Sequence, residues 1–567
     1  MPRQRLYVAA LLLIWSAVAG DSYCFAEERA TVAGVTRDEA LRLGENMYRE
    51  GLLPSGEPMQ AIVQGDIAVE GTMFTCATCH LRSGVGSIEG AVITLPTNAG
   101  WLYEPLVGRR MKPTARERLP DHLRTEQMRP AYTDESLARA LREGVDPSGR
   151  ELDSVMPRYK LEPRDMELML FYLKNLSAAP SPGVDETTMR FATVITDEVS
   201  PEDREAMLLP LQAHIDAVNA ETRQQGRRAR QGPFYKEEVY TAYRRLDLSV
   251  WLLEGPPATW RAQLESYYRE NPVFALLSGI STREWRPIHE FCEEQQIPAL
   301  FPITDLPVIS ENDWYTVYFS KGWYQEGETV ARYLSGLRQA PSESRIVQIV
   351  RDTDESRALR TGFDETWKDL GGAAAKTIVL APNEEASEDL WGDLTDALSG
   401  SVVLLWLGPE DLADLQALAA PSQSPEMLFL SDALVGGSRS SIPEGIRGFT
   451  YLTRRTALPG DKPRAELATE QWLRSRRIPI TNKLIQFNIY AFGGILSGCL
   501  REMRRDFYRD YLLDVLDMMR DQYYTVAAYD RLSFGPGQRY ASKGCYIVQV
   551  GEGPDPELIK ASRWVVH

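Results

Sequence analysis

Two cysteines and a histidine carry the most specific chemistry in this chain. In Cys76-Ala-Thr-Cys79-His80 the thiols are spaced to bond to the two vinyl groups of one haem, while the adjacent imidazole ligates its iron. A chance pair, a zinc half-site or a redox dithiol also begins with C-x-x-C. Here no second cysteine pair lies nearby, and the histidine follows the second cysteine directly. The motif therefore predicts one covalent haem c, held by Cys76 and Cys79, with His80 on the iron.

Helices on either side must position such a motif. Thr36-x-x-Glu39 reads as a capping box that opens a helix through Tyr48, with Ala40, Leu43 and Met47 on one face. Pro163 suits the first turn of a later helix in which Met166, Met169, Leu170, Leu173 and Leu176 recur three or four apart. The stretches Tyr132 to Gly144, Val155-Met-Pro-Arg-Tyr159 and Leu161 to Leu176 resemble the second half of a class I mono-haem cytochrome c. The resemblance implies an all-α domain over 36–177, with Met156, before Pro157, as the sixth iron ligand. It also implies that the two helices cross where Gly44 lets an aromatic such as Tyr172 approach. Met111, Met128 and His122 are the other candidate ligands, but none precedes a Pro and a terminal helix. A thioether opposite an imidazole raises the reduction potential, which favours electron transfer over oxygen binding. The Gly- and Pro-containing stretch between Tyr48 and Cys76 is longer than small members of that family have.

At 567 residues the chain predicts two or three domains, and 43% hydrophobic with 25% charged residues is ordinary globular composition. A formal charge of −17 argues against nucleic acid as a partner. The basic run Arg227-Arg228-Ala-Arg230 reads as a solvated loop. Arg3 and Arg5 before the apolar run Leu6 to Ala19 predict a signal peptide over 1–26, cleaved after Ala19 or Ala26, and hence the bacterial periplasm. That run is shorter than a spanning helix needs, which makes a retained anchor the minority reading, and Cys24 lacks the small preceding residue of a lipidation site. Cys292, Cys499 and Cys545 then remain, allowing one disulfide at most, with Cys499 to Cys545 as a candidate and Cys292 as a small buried hydrophobe.

After a Pro/Ser/Ala linker at 178–188, strands alternate with helices from 189 to 567. Strands are expected at 190–199, 246–253, 273–277 and 299–303, then at 346–350, 377–381, 402–407 and 427–430. Two doubly wound α/β lobes follow, the second beginning near 344. The segment around Ile489 to Leu500 reads as a core helix. The aromatic run from Trp314 to Tyr324 reads as core packing or, second, as a cleft wall.

The order of strand-end motifs resembles the type I periplasmic binding proteins, in the leucine/isoleucine/valine-receptor branch. Those motifs are Leu276-Leu-Ser-Gly-Ile-Ser281, Phe301-Pro-Ile-Thr304-Asp305, Ile349-Val-Arg-Asp352, Leu405-Trp-Leu-Gly-Pro-Glu410 and Phe429-Leu-Ser-Asp432. The resemblance implies that Ser281, Thr282 and Thr304 hold a ligand carboxylate, with Asp305 in the same loop, and that Asp352 or Asp432 meets an amine. Each Ser or Asp would serve equally well as a helix cap. The chain lacks the Ser-Ala-Thr run of amino-acid receptors at the second loop.

The function expected from sequence is an exported single-electron-transfer cytochrome coupled to a small-solute-binding domain, with a periplasmic redox partner. The alternative is a solute receptor of an ABC-type importer for amino acids, amides or related molecules, engaging a permease, with the haem as sensor or tether. An enzyme that oxidises the solute is the weakest reading, since the chain shows no dinucleotide fingerprint such as G-x-G-x-x-G.

Overall fold

The computed structural model describes residues 31–89, 92–106, 129–229, 244–337, 346–381, 390–391, 394, 397–420, 424–436, 439–504, 506–519, 526–553 and 556–566. The signal segment with Cys24, the alternative ligands Met111, His122 and Met128, and the side chains of the Arg227 to Arg230 run lie outside this description. The chain divides into two compact units, Met1–Ala179 and Pro180–His567.

In the first unit a short hairpin, β1 (Thr31–Val32) and β2 (Val35–Thr36), leads into α1 (Arg37–Glu50). Thr36 Oγ1 accepts from Glu39 N at 3.3 Å, but the Glu39 carboxylate bonds to Arg42 and does not turn back, so only half of the expected capping box forms. Next come β3 (Gln60–Val63), β4 (Ile67–Glu70), α2 (Cys76–His80), the β5/β6 hairpin (Ile88–Glu89, Val92–Ile93), α3 (Ala99–Leu102), α4 (Asp134–Glu143), β7 (Arg158–Tyr159) and α5 (Pro163–Asn175). Pro163 sits in the first turn of α5, where a missing N–H costs nothing. A Cβ on Gly44 would lie 2.5 Å from Tyr172 Cβ, so glycine sets how closely α1 and α5 approach.

The all-α expectation for this unit is corrected. β3 pairs antiparallel with β4 and with β7, so the long stretch before the cysteine motif builds a three-stranded sheet. The cause is local. Ala61 and Val63 alternate inward along β3, and Gly65, at φ 93°, turns the chain back at once.

In the second unit, the first lobe holds β8 (Thr188–Thr196), α6 (Pro201–Ala229), β9 (Arg245–Leu253), α7 (Trp260–Glu270), β10 (Ala275–Leu277), α8 (Arg286–Glu294), β11 (Ala299–Leu300) and β12 (Thr316–Val317). Its sheet is parallel in the order β12-β11-β10-β8-β9. β11 is shorter than the expected strand because Phe301 turns to φ 57°.

The second lobe holds α9 (Gly322–Ser335), β13 (Ile346–Arg351), α10 (Asp354–Asp369), β14 (Lys376–Leu380), β15 (Val402–Trp406), β16 (Met427–Ser431), α11 (Asp432–Val435) and β17 (Thr450–Arg454). β14-β13-β15-β16-β17 are parallel, and β18 (Gly544–Val550) and β19 (Leu558–Lys560) extend the sheet antiparallel. Val347, Ile349, Val403 and Leu405 pack on one face, and Ile346, Val350, Leu404 and Trp406 on the other. Both faces are therefore covered, which is why β15 reads as an unbroken apolar run and β13 as one interrupted by Gln348.

Between β17 and β18 the chain returns to the first lobe as α12 (Pro463–Ser475), α13 (Lys483–Met503) and α14 (Arg509–Met518). The lobes are thus joined three times, after β12, after β17 and before β18. Backbone hydrogen bonds knit the crossings: Tyr318 N to Arg539 O (2.7 Å), Ser542 N to Phe319 O (2.7 Å) and Ala457 N to Ala528 O (3.0 Å). The candidate Cys499–Cys545 disulfide does not form. Cys499 lies on α13 in the first lobe and Cys545 on β18 in the second, and both are buried free thiols.

α13 runs unbroken through Gly493-Gly494, and Gly493 leaves room for the His214 ring of α6, which stacks on Trp472 at 4.5 Å. Burial first, then the Arg476 charge, lowers the His214 pKa from 6.5 to about 4, against a contact with the Tyr490 backbone. As pH falls, the unfolded chain binds this proton before the folded chain does, so stability should decline from pH 6.5 to about 4 and then level off. Urea midpoints of His214→Phe should show a shallower decline across that window than the wild type.

Candidate functional site

In open α/β sheets, ligands are met at the carboxyl ends of the strands, and there the candidate residues gather. In the first lobe β8 ends at Thr196, and Glu198 follows in the turn to α6. One oxygen, Glu198 Oε1, lies 2.6 Å from Thr196 Oγ1, 3.1 Å from Ser281 Oγ, 3.2 Å from Thr282 N and 3.4 Å from Thr282 Oγ1. Burial alone would raise this carboxyl's pKa, but hydrogen bonds from Thr196, its own amide, Ser281 and Thr282 hold it below the usual range. Ser281 and Thr282 thus converge on a carboxylate of the protein itself. Thr304 instead accepts from Leu306 N at 3.1 Å and caps its own loop.

Asp305 meets the second lobe. Arg455, the first residue after β17, donates to Asp305 Oδ1 at 2.6 Å and to Glu326 Oε1 of α9 at 2.8 Å, while Thr453 donates to Glu326 Oε2 at 2.7 Å. Burial pushes the Glu326 carboxyl up against the pull of Arg455, and the two carboxylates hold the buried Arg455 guanidinium more firmly protonated than usual. The Asp305 carbonyl also accepts from Trp323 N at 3.1 Å.

Trp323 borders a cavity of about 330 Å³ at the carboxyl ends of β13, β15 and β16, also lined by Arg351, Thr353, Glu355, Gly408 and Glu410. Arg351 is held by Asp411 at 2.5 Å and by the Ala381 carbonyl at 2.9 Å. Asp352 is exposed and pairs with Arg357 at 3.3 Å. Asp432 is buried and bonded to Arg439 and Arg454, so it is engaged within its own lobe.

In the first unit, Thr75 caps α2 by accepting from Thr78 N at 3.2 Å, which places Cys76, Cys79 and His80 on little more than one helical turn. His80 Nδ1 donates to the Leu95 carbonyl at 2.8 Å, which leaves Nε2 as the basic nitrogen of the neutral ring. Burial lowers the His80 pKa, with the Leu95 contact opposing. Burial pushes the Cys76 thiol up to about 12, while Cys79 is exposed. Met156 and Cys76 pack on one core cluster. The Met156 carbonyl accepts from Arg158 Nη1 at 2.5 Å, which fixes its loop beside β7. Tyr48 Oη, on α1, donates to the Leu81 carbonyl at 2.8 Å and so ties the end of α2 to the core.

Sequence reasoning missed Glu198, Arg455, Glu326 and Leu95. The first two had a signal: an acidic residue near the end of the expected strand 190–199, and an Arg pair directly after Phe449-Thr-Tyr-Leu-Thr453. Leu95 contributes a carbonyl, which no side-chain pattern reveals.

No protein-family model and no curated protein matches the chain. Among solved structures it is similar to an ABC transporter substrate-binding protein from Sphaerobacter thermophilus, at 14% identity and TM-score 0.48 over 67% of this chain and 98% of that one. It is also similar to a branched-chain amino acid ABC transporter from Thermus thermophilus with bound valine, at 11% identity and TM-score 0.46 over 67% and 97%. A third is an ABC transporter solute binding protein from R. palustris in complex with benzoate, at 11% identity and TM-score 0.42 over 67% and 98%.

Removing Arg455 would leave Glu326, 1% exposed, as an uncompensated buried charge. Arg455→Leu should cost about 3–5 kcal/mol, and Arg455→Leu with Glu326→Leu should recover most of it. Urea unfolding of the full chain, with the two variants side by side, measures both.

Proposed function

We propose that the chain is a periplasmic small-solute receptor whose first unit carries one covalent haem c. The carrying observation is the Arg455 bridge from Asp305 to Glu326. It brings the carboxyl-end loops of two open sheets together at the crossings, the arrangement in which lobes close around a small molecule. This favours the receptor reading, with an ABC-type permease as partner, over a cytochrome whose second unit only docks a redox protein. Among the described residues no helix is long and apolar enough to cross a membrane.

The residues of the first unit fit a covalent haem. Cys79 is exposed at the motif, and His80 Nε2 is the basic ring nitrogen. Met73 and Val155, close in sequence to Cys76 and Met156, are 71% and 47% exposed, apolar surface that a macrocycle would cover. Cys76 and Cys79 would hold the group, and His80 with Met156 would ligate its iron. Bound there, it supplies one-electron transfer. The chain's own contribution is positional: Leu95 orients His80, Arg158 fixes the Met156 loop, and Tyr48 anchors the end of α2.

Two outcomes are expected. In a thermal-shift screen of the full chain against amines, amides, amino acids, organic acids and small aromatics, at least one class should raise the unfolding temperature in a saturable way. A screen without any shift would leave docking of a redox protein as the role of the second unit. Protein made in a host that attaches haem c should keep its haem through acid-acetone extraction, and Met156→Ala should lose the sulfur-to-iron band and lower the potential. Freely extracted haem, or a band that survives in Met156→Ala, would reject the corresponding assignment.

A further inference from the structure

At the end of β8 the first lobe converges four donor contacts on one point: two from Thr282, one from Thr196 and one from Ser281, all on Glu198 Oε1 within 3.4 Å. Three hydroxyls and a backbone N–H form a seat for a carboxylate oxygen. The seat is already taken by a side chain of the chain itself. A solute carboxylate would have to displace Glu198, and its charge would face both the Glu198 and the neighbouring Asp197 carboxylates.

The other oxygen, Glu198 Oε2, is buried and has no hydrogen-bond partner. Arg283 does not serve it. Its guanidinium donates to the Gly255 carbonyl at 3.0 Å and stays 3.8 Å from both Glu198 and Asp197, beyond hydrogen-bond reach. At the end of the adjacent β10, Ser278 is fully buried and its hydroxyl is also unpaired. Across the crossings, the second-lobe cavity adds the carboxylates of Glu355 and Glu410, while its cation, Arg351, is held by Asp411 and Ala381. Both halves therefore hold acceptors, and the hydroxyls around Glu198 and the Arg351 guanidinium make their contacts inside the protein, which leaves the unpaired Trp323 indole N–H as a donor in the second-lobe cavity. A buried carboxylate oxygen without a donor is costly unless something supplies an N–H.

Building on the receptor reading above, we infer that Glu198 permanently fills the carboxylate seat of the first lobe and that the cleft takes solutes through an amine, amidinium or amide N–H. Glu198 is then the residue that sets specificity. It turns a set of donors that would select carboxylates into an acceptor that rejects them.

The test uses the full chain and three probes with one methyl body: acetate, methylammonium and acetamide. In Glu198→Ala the four donors are open, so acetate should raise the thermal midpoint in a saturable way and leave the wild type unmoved. Methylammonium, and more weakly acetamide, should stabilise the wild type and lose about tenfold in apparent affinity in the variant. Glu198→Gln guards against a variant that does not fold. It keeps an oxygen for the four donors but turns the unpaired Oε2 position into a donor, so it should lose the methylammonium effect and gain one with acetate. Acetate acting equally on wild type and variants overturns the inference, as does its failure to stabilise either variant. Saturable, tight binding of a carboxylate solute such as benzoate to the wild type would overturn it too, while upholding the receptor reading. The expected probe pattern, with no larger solute binding the wild type, would instead uphold the role of Glu198 and remove the receptor reading.

Discussion

One buried guanidinium holds the two lobes in register. Arg455 leaves the end of β17 and reaches Glu326 in its own lobe and Asp305 in the other. Neither lobe alone satisfies it. Taking Arg455 and Glu326 out of water is expensive; their mutual contact offsets part of the cost within the second lobe, and the Asp305 contact is added only when the carboxyl-end loops of both sheets meet at the crossings. The crossings also carry the paired backbone of Tyr318 with Arg539 and of Phe319 with Ser542, so they are held by hydrogen bonds as well as by charge. The position of the cleft follows, because β12 and β17 both run straight from their carboxyl ends into crossing segments.

The polarity of the cleft follows from which donors the fold has already used. Thr196, Ser281 and Thr282 serve Glu198, and Arg351 is committed to Asp411. The second-lobe cavity adds the Glu355 and Glu410 carboxylates and one unpaired donor, the Trp323 indole N–H. A receptor of this kind would discriminate by penalising carboxylates as much as by attracting amines, which is how specificity is gained when body shape is shared between competitors. The first unit also shows fixed partners: the Leu95 carbonyl holds the His80 ring, and Arg158 holds the Met156 backbone.

Much of the fold was legible because its signals are local. Pro163 and the three- and four-residue spacing from Met166 gave α5, and the apolar runs at 346–350, interrupted by Gln348 alone, and at 402–407 gave strands buried on both faces. The sheet in the first unit was not legible. Its strands are four residues or fewer and sit in a stretch punctuated by Gly and Pro, and β3 finds β7 almost a hundred residues away in sequence. β17 and β18 were missed because pairing across the whole helical excursion defines them. In the site, Ser281 and Thr282 were readable as strand-end hydroxyls, but the carboxylate they serve was hidden in a residue first counted as part of the strand.

The most direct measurement is native mass spectrometry of the full chain purified from the periplasm of a host that attaches haem c. The account predicts a mass that includes one covalent haem, together with a noncovalent solute that carries an amine or amide nitrogen and dissociates on activation. A chain that carries neither haem nor solute, or that holds a carboxylic acid without a nitrogen donor, would contradict it.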